Sequence, residues 1–183
     1  MLYKSLNNLS KSESFKEAVI KGIAPDKGLY YPNEIKSLSK KIIKNLDRYS
    51  IHNIAFEAIY QFVGNTIPKK KLKSIIEETL NFDFPLIEVD ENIFSLELFH
   101  GPTLAFKDVG ARFMARCLGY FNENSKEKIT VLVATSGDTG GAVADGFYNV
   151  PGVDVIILYP KGKVSEIQEK QMTTLGKNII SLE

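Results

Sequence analysis

The sequence predicts an α/β protein, with a mostly helical N-terminal region followed by the start of a doubly wound parallel sheet. Two observations support this fold class. Apolar residues recur at helical spacing through much of residues 1–85, whereas short and almost continuously apolar segments alternate with helical patterns after Pro85. Strands that are apolar throughout are typical of a parallel sheet with helices on both faces. We therefore divide the chain into two predicted domains, residues 1–85 and 86–183.

The first predicted domain contains three helical patterns, at residues 14–22, 50–63 and 68–80. Ser14 could cap the first of these helices, and Pro68 suits the first turn of the third. The first pattern ends at Gly22, a residue type that often terminates helices. Between Ile23 and Pro32 the chain is rich in proline, glycine and aspartate, which predicts a loop.

The second predicted domain begins with a hairpin and continues as alternating helices and strands. The hairpin strands are predicted at residues 86–89 and 93–99. Helices at 105–121, 139–148 and 165–175 then alternate with apolar strands at 129–134, 153–159 and 178–182. A doubly wound sheet usually has about five or six strands. Because this alternation stops sooner, we expect the chain to be a truncated part of a longer protein.

The composition argues against several classes of partner and site. With 23 basic and 22 acidic residues, the net charge of +1 provides no concentrated basic surface for nucleic acid or an anionic membrane. No apolar run is long enough to span a bilayer. One cysteine, Cys117, and two distant histidines make neither a disulfide nor a recognisable metal site. We expect a cytoplasmic protein without a metal ion, in which Cys117 lies in the core.

Lys107 occupies an unusual position for a cation. The segment from Glu97 to Asp108 reads Glu-Leu-Phe-His-Gly-Pro-Thr-Leu-Ala-Phe-Lys-Asp, in which a strand leads through a turn into a helix. The first helical turn carries positive potential, and this potential together with apolar neighbours favours the neutral amine that can attack an aldehyde. The ordinary alternative is a surface lysine beside Asp108. His100, in the turn, could act as a ligand or base, but such histidines more often satisfy backbone groups.

A glycine-rich turn follows the strand predicted at residues 129–134. It reads Ala-Thr-Ser-Gly-Asp-Thr-Gly-Gly and leads into a helix, so its backbone amides can face a phosphate or a carboxylate. It matches neither a Walker motif nor a dinucleotide-binding fingerprint. The alternative is a capped tight turn, with Asp138 as N-cap and Gly137 at a positive φ angle. Its place at the carboxyl end of a parallel strand favours a binding role.

A third segment follows the next strand and reads Tyr-Pro-Lys-Gly-Lys-Val-Ser-Glu-Ile-Gln-Glu-Lys-Gln-Met, at residues 159–172. Lys161, Lys163, Ser165 and the amides of the following helix could receive an anion. The alternative is a solvated loop before a helix that Ser165 caps. The residues alone favour this alternative slightly.

In order and spacing, these three segments resemble the threonine synthase family. The early segment Gly-Ile-Ala-Pro-Asp-Lys-Gly-Leu-Tyr-Tyr-Pro, at residues 22–32, also resembles that family, so the resemblance spans essentially the whole chain. Residue 27 departs from the family's pattern, which has a glycine there. We expect little consequence from Lys27.

The resemblance implies a type II pyridoxal-phosphate fold and the conversion of O-phosphohomoserine and water to threonine and phosphate. Lys107 stands at the family's cofactor-lysine position, where it would hold pyridoxal 5'-phosphate (PLP) as a Schiff base and later move protons at Cα and Cβ of the substrate. The resemblance assigns the loop against the cofactor to Ser136, Gly137, Asp138, Thr139 and Gly140. Weaker candidates for substrate contacts are His100, Thr103, Lys161, Ser165 and Gln168.

Two alternatives to a threonine synthase stay open at this point. The chain could be a phosphate- or nucleotide-binding α/β module without pyridoxal chemistry, or a folded but inactive truncation. Members of the family are much longer, and the glycine-rich loop with which they grip the cofactor phosphate has no counterpart in this sequence. The group that meets the pyridine nitrogen has none either. The segment around Lys107 favours the synthase over the binding module.

Overall fold

The computed structural model describes all 183 residues, which fold into two compact units, Met1–Glu78 and Thr79–Glu183. The first unit is mostly helical, as the sequence predicts. Its elements are β1 (Tyr3–Ser5), α1 (Phe15–Lys21), β2 (Tyr30–Pro32), α2 (Lys40–Ile43), α3 (Ile51–Val63) and α4 (Lys69–Thr79), whose last residue opens the second unit. No helix of the chain has the length and apolar character needed to cross a lipid bilayer.

The predicted helix starts of the first unit are confirmed. Ser14 caps α1 by accepting a hydrogen bond from the Glu17 amide, and Ser50 caps α3 in the same way through the Asn53 amide. The α1 helix ends at Gly22, as predicted. The core of this unit is made by apolar residues of α3, α4 and their connection, chiefly Val63, Ile67, Leu72, Ile75 and Ile76.

The predicted loop between Ile23 and Pro32 is wrong over its last residues, because Tyr30–Pro32 forms strand β2. This strand pairs antiparallel with β1, with Tyr3 opposite Pro32. The turn-forming residues before Tyr30 predict a loop, and the strand that pairs with it lies at the beginning of the chain. A strand so short depends on its partner rather than on its own β-propensity.

The loop before β2 is held by one carboxylate and contains a strained residue. Asp26 accepts hydrogen bonds from the Ser5 hydroxyl at 2.6 Å, the Leu9 amide at 2.9 Å and the Gly28 amide at 3.0 Å. These bonds, the one from Ser5 foremost, lower the pKa of Asp26. The next residue, Lys27, has a φ angle of 66°. Only glycine adopts this left-handed conformation without steric cost, so Lys27 strains the backbone, and the expectation that it has little consequence stays a prediction.

The second unit contains an antiparallel hairpin and a three-stranded parallel sheet with its helices. Its elements are β3 (Leu86–Asp90), β4 (Ile93–Leu96), α5 (Lys107–Asn122), β5 (Ile129–Ala134), α6 (Asp138–Phe147), β6 (Val153–Leu158), α7 (Glu166–Thr173) and β7 (Ile179–Leu182). The parallel sheet has the order β5-β6-β7. Its element types and order agree with the predicted α/β fold, while β4 ends before the predicted residue 99 and α5 begins after the predicted residue 105.

The sheet is covered on one face, not on both as the sequence predicts. Val131, Val155 and Ile179 are neighbours across the three strands, on the face that packs against the helices. On the opposite face, Leu132 and Ile180 are 66% and 49% exposed. Both crossovers run in the same direction across the sheet, and right-handed connections then place α6 and α7 on the same side.

Helices α5 and α6 pack so closely that their contact requires a glycine. A Cβ atom added at Gly146 would lie 3.0 Å from the carbonyl carbon of Ala111 and 3.1 Å from the backbone nitrogen of Arg112. Both neighbours belong to the backbone of α5, which cannot move aside like a flexible side chain. The start of α5, and with it Lys107, is therefore fixed against the layer of helices that covers the sheet.

Candidate functional site

Lys107 is the first residue of α5 and lines a cavity of about 710 Å³. This volume lies within the range of about 300–1,000 Å³ that is typical of small-molecule sites. The walls come from the first turns of α5, from strand β5 and from α6. Besides Lys107 they comprise Phe106, Gly110, Ala111, Met114, Val131, Leu132, Val133, Ala134, Thr139, Ala142, Val143 and Phe147. The cavity thus presents one amine and one hydroxyl in otherwise apolar surroundings.

The amine of Lys107 lies beside an aromatic ring at the start of its helix. Its Nζ atom is 5.3 Å from the centre of the Phe106 ring, a distance at which ring and ammonium attract each other. The Phe106 side chain is largely exposed. The open cavity and the half-buried lysine leave room for a flat molecule to reach Nζ.

The turn before Lys107 is tightly organised. The amide of Leu104 donates to the carbonyl of Gly101 at 3.1 Å, and Leu104 has a φ angle of 57°. The amide of Asp108 donates to the carbonyl of Ala105 at 3.1 Å, which forms a second turn around Lys107. Leucine rarely adopts the left-handed conformation, so the surroundings must impose it.

The side chain of Thr103 is directed at Asp108 in this structure. Its hydroxyl donates to Asp108 Oδ1 at 2.5 Å, and its amide donates to Asp108 Oδ2 at 3.0 Å. The Asp108 side chain is completely buried. Asp108 is therefore buried and held by Thr103, whereas Lys107 is half-buried, and the alternative of a first-turn surface lysine stays open.

The loop after β5 is organised by a residue that the sequence reasoning missed, Thr135. The Thr135 hydroxyl accepts hydrogen bonds from the amides of Gly137 at 3.1 Å and Gly140 at 3.0 Å. Gly137 has a φ angle of 149°, which confirms the predicted positive value. It is also the N-cap residue of α6, so the alternative with Asp138 as N-cap is wrong. Asp138 instead opens the first turn of the helix, where its charge is favourable.

The Asp138 carboxylate connects the loop after β5 with the segment after β6. Gln168 Nε2 donates to Asp138 Oδ1 at 2.7 Å, while Gln168 Oε1 accepts from the amide of Ser165 at 3.2 Å and from its hydroxyl at 3.1 Å. Ser165 and Gln168 form a capping box at the start of α7. Their polar atoms thus bond to each other and to Asp138, which is what the serine-capped alternative predicts.

The remaining predicted site residues lie in different places. Ser136 is exposed on the loop after β5, and Thr139, exposed in the first turn of α6, shares the cavity lining with Lys107. His100 Nε2 lies 2.6 Å from Glu97 Oε2, and its ring stacks on that of Phe99. Lys161 is almost fully exposed, with Nζ 3.6 Å from Glu183 Oε2. The structure therefore groups Lys107 with Thr139, and Asp138 with Ser165 and Gln168.

The sequence contains only weak signals for two contacts that it did not predict, those of Thr135 and the bond between Asp138 and Gln168. A threonine two residues before a glycine suits a side-chain-capped turn, which could have indicated Thr135. The partnership of Asp138 and Gln168 joins two segments 30 positions apart and leaves no local pattern. Such contacts follow from the parallel sheet, which brings the carboxyl ends of β5 and β6 side by side.

The chain matches a family model described as "Threonine synthase N terminus" over residues 2–80. It is 44% identical over 181 residues to a threonine synthase of Buchnera aphidicola subsp. Baizongia pistaciae, covering 97% of this chain and 42% of that protein. It is 40% identical over 175 residues to the threonine synthase of Escherichia coli K12, covering 96% of this chain and 40% of that protein. The chain thus spans about two fifths of the length of these relatives.

Solved structures give the same result over the whole chain. The crystal structure of threonine synthase from Escherichia coli matches with a TM-score of 0.91 and 39% identity, covering 100% of this chain and 42% of that one. A PLP-bound threonine synthase from Brucella melitensis matches with a TM-score of 0.91 and 37% identity, covering 100% and 41%. The chain therefore belongs to the threonine synthase family and corresponds to the N-terminal part of its members.

Proposed function

We propose that this chain forms the lysine-bearing part of a PLP-dependent threonine synthase, which converts O-phosphohomoserine and water to threonine and phosphate. Family membership and the PLP reported for the Brucella melitensis relative support the proposal. The structural observation that carries it is the place of Lys107, on the wall of an apolar cavity at the first residue of a helix. The cytoplasmic location predicted from the sequence belongs to this proposal.

The cavity fits a flat aromatic cofactor that is bound through an aldehyde. Its walls are apolar side chains, and an added Cβ at Gly110 would meet no atom within 4 Å, so the surface beside Lys107 is open. Lys107 would hold the cofactor covalently through Nζ, and Thr139 would offer a hydroxyl to a polar edge of the ring system. When bound, PLP supplies an electron sink that stabilises negative charge on the substrate carbon atoms.

The residues of this chain would then orient the substrate and move protons. With the cofactor and substrate bound, the free Lys107 amine would act as the base that moves protons at Cα and Cβ of the substrate. The apolar side chains beside Lys107 would lower the local dielectric constant around the amine, which strengthens electrostatic interactions there. The exposed residues Ser136, Asp138 and Thr139, where the loop after β5 enters α6, form our candidate site for the substrate carboxylate, because this junction follows the carboxyl end of a parallel strand.

The proposal is tested by covalent attachment of PLP. We expect a visible absorbance band when PLP is added to the chain, and borohydride reduction followed by peptide mass spectrometry should locate the cofactor on Lys107. Lys107→Ala should abolish both signals. Lys161→Ala is the matched control, since Lys161 is almost fully exposed and lies in another segment. This control should leave band and label unchanged.

Three results separate the alternatives. Label spread over exposed lysines, with no preference for Lys107, would contradict the assignment. Binding of nucleotide without any Lys107-dependent band would favour a phosphate-binding module. A Lys107-specific label without phosphate release from O-phosphohomoserine would support the cofactor site and restrict turnover to a longer protein.

A further inference from the structure

Asp108 is a buried carboxylate that the proposed chemistry does not use. Its side chain is completely buried, although burying an unpaired charge is costly. The hydrogen bonds recorded for its two oxygens come from the same residue, Thr103, through the hydroxyl to Oδ1 and the amide to Oδ2. Two bonds from one residue hold that residue in both position and orientation. Asp108 therefore fixes Thr103, which lies just ahead of Lys107 in the chain.

The turn that Asp108 holds is strained and sterically specific. A Cβ atom added at Gly101 would lie 2.8 Å from Asp108 Cβ and 3.0 Å from Cγ, so the chain passes directly over the carboxylate. Leu104, which follows Thr103, is held at a φ angle of 57°. Local strain of this kind persists only where neighbouring contacts enforce it. The bonds from Asp108 to Thr103 are contacts that can do so.

We propose that Asp108 is a positioning residue for Lys107. The inference rests on the proposed function, because the position of Nζ matters only if Nζ carries the cofactor. Asp108 clamps Thr103, the clamp maintains the turn from Gly101 to Leu104, and this turn fixes the direction in which Lys107 enters α5. Thr103, predicted from sequence as a substrate contact, belongs to the clamp in this proposal.

The test compares variants that weaken the clamp with one that keeps it. Thr103→Val removes the hydroxyl but keeps the shape and the backbone amide. Asp108→Asn keeps the size but replaces one acceptor with a donor. Thr103→Ser retains the hydroxyl and is the conservative rescue. Ser181→Ala is the matched control, since it removes a hydroxyl that donates to the Met172 carbonyl at 2.7 Å elsewhere in the same unit.

The measurement is the rate at which PLP is trapped on Lys107, read by mass spectrometry after borohydride reduction. We expect Thr103→Val and Asp108→Asn each to lower this rate about tenfold, since small displacements of a reacting group cost large factors in rate. Thr103→Ser and Ser181→Ala should stay within about twofold of the unsubstituted chain. Circular dichroism establishes that each variant is folded.

Several outcomes would overturn the inference. If folded Thr103→Val is labelled at the unsubstituted rate, the clamp does not position Lys107. If only Asp108→Asn is slow, the effect of Asp108 is that of its charge and not of the clamp. If the unsubstituted chain shows no preference for Lys107, the proposed function fails instead. The positioning role can then be tested without PLP, by measuring the rate at which formaldehyde and borohydride methylate Lys107. We expect Thr103→Val and Asp108→Asn to be methylated more slowly than Thr103→Ser, Ser181→Ala and the unsubstituted chain.

Discussion

The two units of this chain are held together in different ways. In Met1–Glu78 the strands are only three residues long, and one carboxylate, Asp26, ties distant loop segments through hydrogen bonds to Ser5, Leu9 and Gly28. In Thr79–Glu183 a parallel ladder carries a layer of helices, and backbone pairing with close helix packing sets the geometry. The first unit therefore depends on individual side-chain contacts, and the second depends on repeated backbone contacts.

The difference extends to a weakly acidic side chain that each unit buries, Tyr3 in the first and Cys117 in the second. In the first unit, burial raises the pKa of Tyr3 to about 12, and its hydroxyl donates to the Phe62 carbonyl at 2.9 Å. In the second, burial raises the pKa of Cys117 to about 12 within the apolar side of α5. Tyr3 is thus buried with a hydrogen-bond partner, whereas Cys117 is buried as an apolar side chain.

The largest effect that we predict is a loss of stability at alkaline pH. The unfolded chain ionises Cys117 near pH 9 and Tyr3 near pH 10, while the folded chain keeps both protons until about pH 12. Raised pKa values of this kind give stability that is complete below pH 9 and declines as the pH rises toward 12. Each group contributes a slope of up to about 1.4 kcal/mol per pH unit. Urea unfolding midpoints between pH 8 and 11.5 measure this decline.

Two variants assign the alkaline decline to the two units. Cys117→Ala should remove the part that begins near pH 9, and Tyr3→Phe the part that begins near pH 10. A pH dependence that is the same in both variants and in the unsubstituted chain would contradict the assignment. We expect the larger change in the alkaline decline for Cys117→Ala, because the interval between the unfolded and folded pKa values is wider for the thiol than for Tyr3.

The next largest effect concerns the packing of α5 on α6. Gly146→Ala places a Cβ 3.0 Å from the Ala111 carbonyl carbon, which forces backbone to move and should destabilise the chain by about 1–3 kcal/mol. Gly110→Ala is the matched control, because an added Cβ there meets no atom within 4 Å. It should stabilise the helix by up to about 1 kcal/mol. Thermal unfolding of both variants gives the sign of each stability change. Equal shifts of the unfolding midpoint would show that the packing of α5 on α6 does not limit the stability of this unit.

The smallest predicted effect lies in the first unit and is stabilising. Lys27→Gly relieves a left-handed lysine, with φ at 66°, and should raise the free energy of unfolding by about 1 kcal/mol. Asn8→Gly is the control, since Asn8 has a φ angle of 57° but asparagine tolerates this conformation. Its gain should be smaller in the same urea titration. A loss of stability in Lys27→Gly would mean that the lysine side chain makes a contact that outweighs the strain.

The contrast between the units also explains which parts of the fold are readable in sequence. Strand β5 is predicted with its observed bounds, because a short apolar run between turn signals is a local property. The strand Tyr30–Pro32 is missed, because it exists only through pairing with Tyr3–Ser5. The exposed face of the sheet is missed as well, since apolar residues on both sides of a strand do not say which side a helix covers.

In the candidate site, too, some features can be predicted from local sequence and others depend on the fold. The family resemblance of the segment around Lys107 nominates that lysine, and its place in the first helical turn makes the proposed role chemically sensible. The bonds between Asp138 and Gln168 and between Thr135 and its loop depend on the turn geometry and on the order of strands in the sheet. Sequence reasoning could thus nominate Lys107 but not the hydrogen bonds that organise the loop after β5.

The close approach of Gly101 to Asp108 limits the order in which this sequence can change. Any side chain at position 101 collides with the carboxylate, so substitution of Gly101 is disfavoured while position 108 holds an aspartate. A smaller residue at 108 would have to come first, and that step leaves the Thr103 hydroxyl and amide without their acceptor. A single substitution at either position 101 or position 108 is therefore harmful, so we expect Gly101 and Asp108 to be retained together as the sequence evolves.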